Sequence, residues 1–390
     1  MSYHFDKLTQ RRGTGSMKWD VPEGELPMWV ADMDFETAPE ITEAIKKRAE
    51  HGIFGYTAAG PDWREAIAGW WERRHGFRME RDWLVFTTGV VCAVSSAVRK
   101  LTTVGENVLV QTPVYNIFFN SIRNNGRNVL ENRLLYERGI YGIDWADLEK
   151  KLSDPQTTLM ILCNPHNPTG MIWTREELGR IGELCVASHV RVISDEIHCD
   201  LTDPGYDYIP FASVSKECAQ NSVTCLAPTK TFNLAGLQTA AVMVPNDELR
   251  HKIERGLNTD EVAEPNVFAV EGAIAAFAKG DGWLDSLREY VAENKEAVRN
   301  FLDTELPEVS LVSSHATYLL WLDCRKIAGD TSELCRYLRS ETGLYLSAGS
   351  IYGGNGGAFL RMNIACPRTR LLDGLERLRA GIKSYGNHGD

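Results

Sequence analysis

The chain has 390 residues, 43% hydrophobic and 24% charged, with a formal net charge of −11; it is long enough for more than one packed domain, and its negative balance argues against nucleic acid or an anionic membrane as main partner. Its nine cysteines include no C-x-x-C pair, and its histidines form no H-x-x-x-H or H-x-x-E-H pattern, which argues against a disulfide framework and a zinc site and suits a reducing compartment. "MSYHFDKLTQ" lacks a basic-then-apolar leader, and no apolar stretch approaches the ~20 residues of a membrane span, so a cytoplasmic protein is expected.

Residues 1–37 read as irregular, punctuated by Gly13, Gly15, Pro22, Gly24 and Pro27. "APEITEAIKKRAEHG" follows as a helix stopped by Gly52. "GPDWREAIAGWWERRHG" is a second, with Pro61 in its first turn and Gly76 past its end. Trp63, Trp70 and Trp71 are expected simply to pack. From residue 83 short apolar runs alternate with amphipathic stretches such as "TREELGRIGELCVAS". The runs are "WLVFTT", "NVLVQT", "NVLENRL", "TLMILC", "VRVIS", "VTCLA" and "TAAVMV". This alternation predicts an α/β fold with a mainly parallel seven-stranded sheet covered on both faces. "TAAVMV" follows its predecessor too closely for a helical crossover and is expected to run antiparallel.

Beyond residue 280, "GWLDSLREYVAENKEAVRNFLDTEL" reads as one long helix. Short strands follow in "VSLVSS", "TYLLWLD" and "AFLRMNIA", then a last helix from "RTRLLDGLERLRAGI". The expected organisation is a large domain over 46–280 and a smaller α+β domain made of 1–45 and 281–390. "YGGNGG" at 352–357 reads as a flexible turn, since it lacks the spacing and preceding strand of a dinucleotide fingerprint.

In open α/β sheets ligands bind beyond the carboxyl ends of the strands, and here five strand ends each deliver functional groups. Gly89, Val90 and Val91 open a helix, whose amides and dipole suit a phosphate. Tyr115 follows "NVLVQT" and can stack on a flat ring. Asn167 lies in "CNPHNPTG" and, with His198, can donate to a ring oxygen. Asp195 ends "VRVISD" and can keep a ring nitrogen protonated. Thr229 offers a hydroxyl to the phosphate, and Lys230 can form a Schiff base with an aldehyde. Singly, each has a plainer reading: a solvated lysine, a capping aspartate, a turn-forming "NPHNPTG", a core tyrosine. Together they describe a pocket for pyridoxal 5′-phosphate. No Walker-type phosphate loop or hard-cation loop is present, and no metal is expected.

"CNPHNPTG", "VISDEIH" and "PTKTFNLAGL" give the chain a resemblance, over nearly its full length, to fold-type I enzymes of the aspartate aminotransferase superfamily. "ADMDF", "GYT" at 55–57, "DEIH" and "TKTFNLAGLQ" resemble one branch, the MalY/PatB-type cystathionine β-lyases (C–S lyases). The resemblance implies Lys230 as the cofactor-bearing lysine, Asp195 as the pyridine partner, Asn167 at the ring oxygen and Tyr115 as the stacking ring. It also implies a homodimer, in which Tyr56 reaches the cofactor phosphate of the other subunit. Arg361 would grip the substrate α-carboxylate, a group its planar fork matches; the plainer reading is a surface salt bridge. Gln238 stands where many aminotransferases have arginine, His198 where most have tyrosine, and Cys92 where related lyases often have proline. The implied activity is β-elimination of an amino-acid thioether, cystathionine giving homocysteine, pyruvate and ammonia. Lys230 would take the Cα proton, with a pKa lowered by a cationic, desolvated pocket. The rival readings are an aminotransferase and a regulator that keeps the fold to bind a protein partner.

Overall fold

The computed structural model describes residues 3–386. The seven apolar runs form one sheet: β1 (Leu84–Thr87), β2 (Asn107–Thr112), β3 (Asn128–Arg133), β4 (Thr157–Cys163), β5 (Arg191–Asp195), β6 (Ser222–Leu226) and β7 (Ala240–Met243). Their order is β1-β7-β6-β5-β4-β2-β3. Neighbours from β6 through to β3 are parallel, while β7 is antiparallel to both β1 and β6. Alternate side chains enter different cores. Val108, Val110, Ile161 and Ile193 share one apolar cluster, and Leu109, Met160, Leu162 and Val192 share another. Burial on both faces is why these runs are continuously apolar rather than alternating.

The helices start and stop where local chemistry dictates. α1 (Pro39–Glu50) and α2 (Pro61–His75) each open on proline, and Gly76 ends α2 in the left-handed region at φ 60°. α3 (Val90–Leu101) lays Val90, Ala93, Val94, Ala97 and Val98 on the sheet. α4 (Arg175–Ala187) carries a reciprocal cap between Thr174 and Glu177. α5 (Pro228–Thr231) is a single turn bearing Lys230. α6 (Val267–Lys279) packs beside α1 and α2, and α7 (Asp281–Glu305) is the expected long helix.

A second, antiparallel sheet has four strands in the order 310–311, 319–323, 359–363, 347–348. The run "VSLVSS" contributes only Ser310–Leu311 to it. The outermost residues of the smaller expected domain, 1–2 and 387–390, lie outside the described residues.

The "YGGNGG" turn is not loose. Val114 N–H donates to Tyr352 O, and Gly354 N–H donates to the Glu131 carboxylate. A Cβ on Gly354, at φ 59°, would lie 2.8 Å from Thr112 backbone. Glycine is there because two backbones touch at a left-handed residue.

The irregular N-terminal segment is held by buried charge. Asp34, nearly inaccessible, accepts from Lys18 Nζ at 3.1 Å, Trp19 Nε1 at 2.7 Å and Arg11 at 2.7 Å, with Arg370 at 3.3 Å. Burial opposes its ionisation, but Lys18, Trp19 and Arg370 outweigh that and hold its pKa below the ordinary value. This lays residues 29–32 against the second sheet. Arg361 donates to Trp29 O at 2.8 Å, and Asn363 donates to Val30 O and Asp32 O at 2.6 Å each.

Candidate active site

A cavity of about 190 Å³ lies past the carboxyl ends of the strands. It is lined by Gly89, Val90, Val91, Tyr115, Asn167, Asp195, His198, Thr229 and Lys230, together with Ala31, Thr88, Cys163, Ile197, Ala235 and Gln238. Sequence-predicted residues from five separate strand ends therefore meet in one place. Arg361 stands beside them, its NH1 3.4 Å from Asn167 Oδ1. Tyr56 is elsewhere: it sits fully exposed on an extended segment with exposed Ile53 and Phe54.

Lys230 Nζ donates to Ala31 O at 2.6 Å, and the same oxygen accepts from Tyr318 OH at 3.1 Å. Burial lowers the amine's pKa to about 8, helped by the Arg361 charge and opposed by Asp32 and Asp195. Asp195 accepts from the Ile197 N–H at 3.2 Å. Burial pushes this carboxyl up to about 7, more than the Ile197 N–H and Lys230 can offset. His198 is buried with Nδ1 unpartnered. Burial, with Lys230 and Arg361 nearby, lowers its pKa to about 3, so the ring is neutral and carries one N–H.

Arg361 is buried, its Nε has no partner, and it forms no ion pair among the described residues. The surface salt bridge is therefore not what this arginine makes. A buried guanidinium without a carboxylate is costly unless an anionic ligand completes it. Asn167 is buried and donates its N–H to Cys163 Sγ at 3.4 Å. Its turn is fixed by His166, whose ring nitrogens lie 2.8 Å from Thr169 Oγ1 and 3.1 Å from Gln111 O. Tyr115 is half-buried, edge-on to Phe118. Gly89 caps α3 with no side-chain partner for the helix amides, leaving that N-terminus open to an anion. Gln238 adopts φ 53° on the same wall.

These features fit a phosphorylated pyridine aldehyde. The cavity joins an amine bonded only to a backbone carbonyl, a carboxylate short of donors and an orphaned imidazole nitrogen. A second group, His75, Cys199 and Asp200, has its ligand atoms within 4.8 Å of one another. It is poorly suited to a metal, because Trp70, His75 and Thr231 already donate to Asp200, while Arg74 and Arg288 line the adjoining cavity.

The aminotransferase class I and II family model matches residues 26–378. The chain belongs to that family. It is 45% identical over 386 residues to cystathionine beta-lyase PatB of Bacillus subtilis, covering 97% of this chain and all of PatB. It is 33% identical to protein MalY of Escherichia coli, covering 98% of this chain and 99% of MalY. Among solved structures, cystalysin from Treponema denticola, which contains a pyridoxal 5′-phosphate cofactor, superposes with a TM-score of 0.96. It is 32% identical, with 98% of this chain and all of cystalysin covered. The α/β sheet expected from the alternating runs, and the fold-type I architecture that the resemblance implied, are those of this family.

Sequence reading missed several residues of the site. Ala31 acts through its carbonyl, which no side-chain pattern reports. Tyr318 and Cys163 sit within apolar runs. Asn233 brackets the N-terminal segment, its Oδ1 accepting from Met33 N–H and its Nδ2 donating to Met33 O and Phe35 O, all at 3.0 Å. Asn233 in "TKTFNLAGLQ" and, outside the cavity, Asp200, five residues after Asp195 in "SDEIHCD", are polar signals that could have found part of this surrounding.

Proposed function

We propose that the protein is a pyridoxal 5′-phosphate-dependent carbon–sulfur lyase that splits S-substituted cysteines by β-elimination. Cystathionine would give homocysteine, pyruvate and ammonia. The observation that carries this reading is the end-to-end similarity to PatB, a cystathionine beta-lyase, at 45% identity. The chemistry of the cavity supports it.

The α3 N-terminus at Gly89, Val90 and Val91, with the Thr229 hydroxyl, would receive the cofactor phosphate. Tyr115 would lie on the ring, Asn167 and His198 at its oxygen, and Asp195 at its nitrogen. A cationic ring nitrogen would return Asp195 to its charged form, offsetting the burial that now raises its pKa. When bound, the cofactor supplies an electron sink for the pair left by the broken Cα–H bond. Arg361 fixes the substrate carboxylate, which gives its buried charge the partner it lacks. Lys230 Nζ, its pKa lowered to about 8, accepts the Cα proton in its neutral form, whose share grows as pH approaches 8. The thiolate then leaves, aided by a thiol pKa of ~8.5.

The reading includes a homodimer in which Tyr56 completes the partner's phosphate site; exposed Ile53, Phe54 and Tyr56 on one segment support it. It also includes a cytoplasmic setting; among the described residues no helix is long and apolar enough to cross a membrane. The division into a large domain over 46–280 and a smaller one from the rest is part of the same proposal.

The test is to feed cystathionine to the purified, cofactor-loaded protein with no keto-acid acceptor. Pyruvate and free thiol in equal amounts are expected. Turnover only with an acceptor would make it an aminotransferase. A biological effect that survives Lys230→Ala would favour a regulator.

A further inference from the structure

The carboxylate of Asp200 lies outside the cavity, buried, and gathers donors from two helices. Trp70 Nε1 and His75 Nε2, both from α2, lie 2.9 Å from Oδ1, and Thr231 Oγ1 from α5 lies 2.8 Å from Oδ2. Asp200 itself belongs to the turn after β5, the turn that also carries His198 and that follows Asp195 at the end of the strand. Thr231 follows Lys230 directly. One carboxylate thus fastens the turn that follows Asp195 to the single helical turn that presents the amine.

α5 cannot hold itself. It has four residues and closes on the Phe232 N–H to Pro228 O bond, far short of a self-supporting helix. Downstream, Asn233 is tied to Met33 and Phe35; within the turn, apart from the Lys230 bond to Ala31 O, Thr231 supplies a side-chain tether. Burial opposes ionisation of Asp200, but His75, Trp70 and Thr231 outweigh it and keep the carboxyl charged. Arg74 and Arg288, facing it across a cavity of about 220 Å³, add favourable charge.

We propose that Asp200 is a positioning residue which, through the hydroxyl of Thr231, sets where the Lys230 amine stands. The inference rests on the reading of Lys230 as the cofactor-bearing base, but its decisive readout does not need the cofactor.

The variants are Thr231→Val, which keeps shape and deletes the donor, Thr231→Ser, which restores it, and Asp200→Asn. In cofactor-free protein, trace acetylation with peptide mapping compares the reactivity of Lys230 with that of exposed lysines. T231V and D200N are expected to change that ratio by a factor of about three or more, and T231S to return it to the wild-type value. In loaded protein, T231V is expected to lower kcat about tenfold or more with KM within about twofold, because small misplacement of a reacting group costs rate rather than affinity. T231S should recover kcat, a rescue that mere loss of packing would not show. Unchanged Lys230 reactivity in T231V, a T231V loss that T231S does not restore, or a D200N variant with wild-type Lys230 reactivity would each overturn the proposal. If wild-type protein binds no pyridoxal 5′-phosphate at Lys230, the functional reading falls, while the acetylation comparison still decides the role of Asp200.

Discussion

The Lys230 amine is bonded to the carbonyl of Ala31 at 2.6 Å, not to a carboxylate. The base of the proposed reaction is therefore parked on the N-terminal segment, 199 residues away in sequence. A carbonyl accepts a hydrogen bond from either protonation state of the amine, whereas an ion pair would hold it charged. This arrangement leaves burial free to lower the pKa.

The first prediction concerns cofactor capture. Attack on an aldehyde needs the neutral amine, so capture by cofactor-free protein should accelerate with pH and reach half its plateau near pH 8, the pKa set by burial and Arg361. Stopped-flow absorbance against pH measures this. Arg361→Ala removes a positive neighbour and should move the midpoint upward. A wild-type midpoint near 10.5, the ordinary lysine value, would mean that burial does not act on this amine.

Asp195 gives a stability prediction. Its folded pKa is about 7 against an ordinary 3.8, and buried Glu196 behaves likewise, about 7 against 4.5. Between those values the folded state holds protons that the unfolded state has released. These two groups therefore make cofactor-free protein lose stability as pH rises from about 4 to about 7. Asp195→Asn should flatten that slope, as read by urea unfolding at pH 5 and pH 7.5. In the loaded enzyme the same change should lower kcat on the order of 10²-fold, as for other lost electrostatic stabilisers. An unaltered slope would show that Asp195 titrates as if exposed.

Arg361→Lys tests the carboxylate clamp. Lysine keeps the charge but loses the planar fork. A charge-assisted contact contributes roughly 1.5–3 kcal/mol, so KM for cystathionine should rise ~10- to 100-fold with a smaller change in kcat. An effect confined to kcat would place the arginine's role at the reacting atoms instead.

The sequence exposed the sheet and most of the cavity because those features are local. Apolar runs ending in Asp195 or followed by Lys230 identify both the strand and the edge that it feeds. The short connection before "TAAVMV" correctly demanded an antiparallel β7. What stayed hidden depends on partners distant in sequence. Trp70 packs as expected, yet its indole N–H also reaches Asp200, 130 residues on. The N-terminal segment looks featureless because its contribution is a row of carbonyls, ordered by Asn363 and Asn233 rather than by its own periodicity. "YGGNGG" resembled a loose turn because glycine spacing cannot report that another backbone lies against it.

Asn233 offers the last test, since it is constrained twice. Its backbone sits in the left-handed region at φ 57°, where asparagine is tolerated and β-carbon sterics penalise most residues. Its amide also brackets Met33 and Phe35 with three hydrogen bonds. Asn233→Ala loses both features and should cost roughly 2–4 kcal/mol. Asn233→Gly loses the bonds but keeps the backbone at ease, so its cost should be smaller by ~1 kcal/mol. Urea midpoints of the two variants separate the contributions. Equal losses would assign everything to the hydrogen bonds, and no loss in either would mean that the N-terminal segment is held in place without them. Because that segment carries Ala31, both variants should also weaken the hold on Lys230, seen as a drop in kcat that follows the loss of stability.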